Sequence, residues 1–154
     1  MKRTGAAALL FVCLTRVSAA DPIVAVEAAR AAAGRRVGLP GCRALLAGYE
    51  DAGGKPLSRN LDALGLAPRA YVDLLLFRPA PAGARACAEP SNVFFTAPGS
   101  RVVYVCEERI ARLQASDPRL AAALVLHEML HSLGLGENPP SPAQITARVL
   151  SRCL

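Results

Sequence analysis

Apolar positions change their period several times along the chain, and each change predicts an element. Residues 23–33 (IVAVEAARAAA) are mostly alanine, with Glu27 and Arg30 at helical spacing, which predicts a helix stopped by Gly34. Residues 42–49 predict a short second helix, 51–55 (DAGGK) a turn-rich break, and 60–64 a further helical turn ended by Gly65 and Pro68. Residues 71–77 (YVDLLLF) form an apolar run with aromatic ends and predict a buried strand. Residues 79–90 carry prolines and Gly83 and read as loop. Residues 93–106 (VFFTAPGSRVVYVC) predict a β-hairpin, with Pro98 and Gly99 where a type II turn needs them.

The last third is punctuated more sharply. Asp117 followed by Pro118 opens a helix, as an N-cap with proline at the first helical position. That helix runs through LAAALVLHEMLHSL to Gly134, a natural left-handed terminator. Residues 136–140 (GENPP) predict a rigid loop, and Ser141 with Gln144 forms a capping box before a final helix to about Arg152. No repeat or linker divides the chain, so residues 21–154 are expected to form one α+β domain.

Residues 1–20 read as a secretory signal. Lys2 and Arg3 precede the nine-residue apolar run AAALLFVCL, and small residues stand before Asp21. The run is too short to anchor the chain in a bilayer, and no membrane anchor is expected once the segment is removed. Removal also changes the charge. The chain has 18 basic and 12 acidic residues, a net +6, and subtracting Lys2, Arg3 and Arg16 leaves 15 against 12, or +3. That argues against nucleic acid as a partner, which calls for a clustered basic face. Disorder is excluded by a hydrophobic content of 53%.

Cleavage would take Cys13 and leave Cys42, Cys87, Cys106 and Cys153. An even number in an exported chain implies two disulfides. Of three possible connectivities, Cys87–Cys106 with Cys42–Cys153 is the expected set. The first clamps the strand region and the second ties the C-terminus to the N-terminal half. No CxxC pair points to a cysteine metal site.

The chain's only two histidines fall in one motif, His127-Glu128-Met129-Leu130-His131. Residues four apart lie one turn apart on the same helical face, so both imidazoles can ligate one zinc ion. Glu128 is then placed to reach a zinc-bound water as general base without ligating the metal. Gly134 and Glu137 follow at intervals of three, giving HExxHxxGxxE. A turn at Gly134 would return Glu137 to the metal as third ligand, with Asp73, Glu107 and Glu108 as fallbacks. A charge inside a helix of Ala, Leu and Val is costly unless it is paired or lies near a metal.

The stretch HEMLHSLGLGE resembles the zincin metallopeptidases and, in its layout, their metzincin-type branch. There the third ligand is usually His and sometimes Asp, whereas Glu137 stands at that place here. No methionine follows Met129, so the methionine turn of that branch is missing, and only residues 138–154 follow Glu137. From the hairpin onward the chain also resembles small exported bacterial proteins of uncharacterised function. The resemblance implies a zincin-like fold: a small mixed sheet with a β-hairpin packed on the active-site helix, then a short C-terminal helix. It also implies a sheet edge that pairs with extended substrate, for which residues 102–105 are the candidates.

The implied function is an exported, secreted or periplasmic, zinc-dependent metallopeptidase. Its metal ligands would be His127, His131 and Glu137, its general base Glu128, and its substrate a peptide or protein. Tyr104, Tyr71, Tyr49 or an arginine would steady the oxyanion. Two other readings stay open: a zinc-stabilised binding or inhibitory module without turnover, and a hydrolase of a non-protein amide such as a cell-wall peptide. The oligomeric state is left open.

Overall fold

The computed structural model describes residues 21–154; the expected signal segment and Cys13 lie outside the described residues. Seven helices and a three-stranded mixed sheet make up the described fold. The chain runs α1 (Pro22–Arg36), α2 (Pro40–Gly48), α3 (Leu57–Leu64), α4 (Pro68–Asp73) and β1 (Leu76–Pro79). After a 3-10 turn at Arg85–Ala88 come β2 (Phe94–Phe95), β3 (Val102–Val105), α5 (Glu107–Ser116), α6 (Pro118–Ser132) and α7 (Pro142–Cys153).

The helix signals in the sequence act as expected. Asp117 accepts a hydrogen bond from the Leu120 amide at 2.9 Å, with Pro118 at the first position of α6. Ser141 and Gln144 make the reciprocal capping box at the start of α7. The helix α6 is apolar on nearly every side, and such a helix belongs inside a core. It lies against α1, α5, α7 and β2, with Ala121, Ala123, Val125, Leu126, Met129 and Leu130 buried. The alanine face of α1 (Ala25, Ala29, Ala33) is also buried.

Both disulfides pair as expected. Cys87–Cys106 joins the 3-10 turn to the end of β3, and Cys42–Cys153 joins α2 to the end of α7. Beside the second bridge the two helices touch closely. A Cβ on Gly41 would stand 2.3 Å from the carbonyl oxygen of Arg152, so only glycine fits. Arg109 on α5 adds a non-covalent staple, its guanidinium donating to the carbonyls of Cys87, Glu89 and Asn92.

Four sequence expectations need correction. Gly34 does not stop α1, because it is buried within the helix, which continues to Arg36. The run 71–77 is not one strand: Pro68 starts α4, which holds Tyr71 and Val72 in the core, and β1 begins only at Leu76. The helix α5 was not anticipated. Finally, residues 102–105 are not a sheet edge. The strand order is β1-β3-β2, with β3 central, parallel to β1 and antiparallel to β2. The hairpin turn is as expected, the Ser100 amide donating to the Ala97 carbonyl at 2.9 Å around Pro98 and Gly99. The edge strand that faces α6 is therefore β2.

Candidate metal centre

His127 and His131 stand one turn apart on α6 and are nearly fully buried. Their Nε2 atoms lie 2.9 Å apart. Beyond His131 the helix ends, and Gly134 turns the chain at φ 108°. The Glu137 carboxylate thereby returns to 3.1 Å from His131 Nε2. One donor atom from each of the three residues lies within 4.8 Å of the others, so the group can hold a metal ion. The fallback residues Asp73, Glu107 and Glu108 are not in this group. Asp73 ends α4, and Glu107 and Glu108 open α5, where Glu108 faces Arg112 at 3.7 Å.

Each imidazole is also held by a hydrogen bond at Nδ1. His131 Nδ1 donates to the Leu135 carbonyl at 2.8 Å. A carbonyl only accepts, so that nitrogen carries a proton, which leaves Nε2 as the ring nitrogen available to a metal. His127 Nδ1 meets the Thr146 hydroxyl of α7 at 2.9 Å. Burial, and then the charge of His131, push the His127 pKa down to about 4, so its ring is neutral near pH 7, as a ligand must be.

Glu128 lines the same cleft, and its Oε2 is buried without a hydrogen-bond partner. Burial chiefly, then the Glu137 charge, push its pKa up to about 8, and the Thr96 amide at the end of β2 pulls partly the other way. A cation held by the neighbouring histidines would favour the ionised carboxylate. The paired Nε2 atoms of the two histidines, the returning Glu137 carboxylate and this orphaned acid all fit a cation at one point.

The turn that returns Glu137 is held by the N-terminal half. Asp51 accepts the amides of Gly53 and Lys55 and the side chain of Asn60, and these hydrogen bonds, Asn60's foremost, hold its carboxyl below the usual range. Asn60 also donates to the Leu133 carbonyl at 2.9 Å. A Cβ on Gly134 would lie 2.9 Å from Asp51 Cβ. Gly134→Ala therefore meets both a positive φ and a clash, and is expected to cost about 1–3 kcal/mol in denaturant unfolding. Stability equal to wild type would show that this turn relaxes freely.

The cleft has a volume of about 1460 Å³ and is walled by β2, α5, α6 and α7. Leu113, Leu120, Leu124 and Leu150 give it an apolar lining. None of the three tyrosines lines it. Tyr71 donates to the Ser132 carbonyl behind α6, Tyr104 stacks on Phe95, and Tyr49 packs under Arg148. The two arginines on the cleft are Arg109, engaged with the 87–92 loop, and Arg112. Thr96 and Thr146 were not singled out from sequence, because both reach the site through tertiary packing. No helix of the described residues is long and apolar enough to cross a membrane. Comparison with protein-family models, with curated proteins and with solved structures returns no match.

Proposed function

We propose that this chain is a zinc-dependent metallopeptidase of zincin-like type that works outside the cytoplasm. The observation that carries the reading is the convergence of His127, His131 and Glu137 at an open cleft that also holds the buried Glu128. Two imidazoles and a carboxylate are a donor set suited to catalytic zinc. No fourth His, Cys, Asp or Glu among the described residues joins them, which favours a catalytic over a closed structural site. The two disulfides suit an oxidising compartment.

Zinc bound there supplies a Lewis acid that acidifies water and polarises a carbonyl. The protein does the rest. Glu128 accepts the proton of the attacking water and passes it to the leaving amine. The edge of β2 and the apolar lining orient an extended chain across the cleft.

The test is metal content and peptidase activity of the oxidised chain, wild type beside His131→Ala. One zinc per chain, lost in the variant, with activity abolished by chelation and restored by zinc, is the expected result. Zinc bound without turnover on any peptide or amide would point instead to a metal-stabilised binding module. No zinc in wild type would end the metal reading.

A further inference from the structure

We propose that Thr146 is a positioning residue for the metal: its hydroxyl fixes the His127 ring so that Nε2 faces the ion. The inference deepens the metal reading above and does not require turnover. Among the described residues, each imidazole has one outer partner, and the two partners differ in kind. His131 Nδ1 is held by the Leu135 carbonyl, four residues along its own chain segment. His127 Nδ1 is held from another helix, by Thr146 Oγ1 at 2.9 Å. A backbone carbonyl cannot be removed by substitution, but a threonine hydroxyl can, so the first ligand depends on one side chain of α7.

The placement of α7 makes this partner reliable. Its N-terminus is fixed by the Ser141–Gln144 capping box, and its C-terminus by Cys153 bonded to Cys42. Ile145 and Val149, flanking Thr146 along the helix, are fully buried. Thr146 and Ala147 face the cleft. The hydroxyl is thus set by packing.

When a cation occupies Nε2, the remaining ring proton must sit on Nδ1, and Thr146 Oγ1 is its acceptor. Without that oxygen a buried N–H is left unpaired, and the ring gains freedom to turn away from the ion. Outer partners of this kind typically contribute 10–100-fold to metal affinity.

The experiment is zinc affinity of the oxidised chain by competition with a chromophoric chelator, for wild type, Thr146→Val and Thr146→Ser. Folding is checked by circular dichroism, and the Nδ1–H of zinc-loaded His127 is followed by proton–nitrogen NMR. Thr146→Val keeps the shape of the side chain and removes only the acceptor. It is expected to bind zinc about 10–100-fold more weakly and to lose the slowly exchanging Nδ1–H signal. Thr146→Ser is expected to restore both. A folded Thr146→Val with wild-type affinity and an unchanged signal would overturn the proposal and leave the zinc and peptidase reading untouched. Zinc bound without turnover would sink the peptidase reading, while the affinity ratio still decides the role of Thr146. A wild type that binds no zinc would overturn both.

Discussion

Glu128→Gln is expected to lower peptide turnover by about two to four orders of magnitude while zinc stays bound and the fold is kept. Glutamine preserves the volume of the side chain in a site where Glu128 is 4% exposed. It cannot accept a proton from water at neutral pH. The group that could hold the metal, His127, His131 and Glu137, is left unaltered. On the proposed mechanism the loss should therefore fall on kcat, with KM changed little, because a general base serves proton transfer more than substrate binding. Parallel measurement of zinc content and steady-state kinetics separates the two. Turnover within a few-fold of wild type would remove Glu128 from the role of base.

The second large effect is expected from the pair Cys42→Ser and Cys153→Ser. These residues are 111 positions apart, so their bridge closes most of the described chain. Loop-closure arithmetic puts its constraint on the unfolded state at about 4.8 kcal/mol. The bridge Cys87–Cys106 spans 19 positions and should contribute roughly 3 kcal/mol by the same reasoning. Urea unfolding of the two serine pairs against wild type gives both values and their order. A smaller loss for the long bridge than for the short one would show that residual structure already holds α2 and α7 together in the unfolded ensemble.

Local sequence made the candidate metal centre legible, because the three residues that could hold an ion lie within residues 127–137 and helical spacing brings the first two together. The caps Asp117 and Ser141 were equally local. Misreadings arose where an apolar run was partitioned by tertiary structure. In 71–77, Tyr71 and Val72 are buried by a helical turn, whereas Leu76, half exposed, begins a strand. The helix α5 went unread because its segment, EERIARLQAS, is mostly polar, and only Ile110 and Ala111 are buried. The central place of β3 depends on its parallel partner β1, more than twenty residues earlier, and no local pattern records such a pairing. The same is true of Thr146, whose role exists only once α7 lies across α6.

The doubly fastened loop before β2 has a consequence for whatever enters the cleft. Residues 87–92 are tied covalently through Cys87 and held at three carbonyls by Arg109, and Pro90, Ser91 and Asn92 form part of the cleft wall. The ordering of that wall is completed when the chain folds and oxidises, before any ligand arrives. Association then loses little conformational entropy on that side, and a rigid ligand matched to the wall should bind with a smaller entropic penalty than a mobile loop would impose. Selectivity on that face becomes a matter of fixed shape, tested at the moment of encounter.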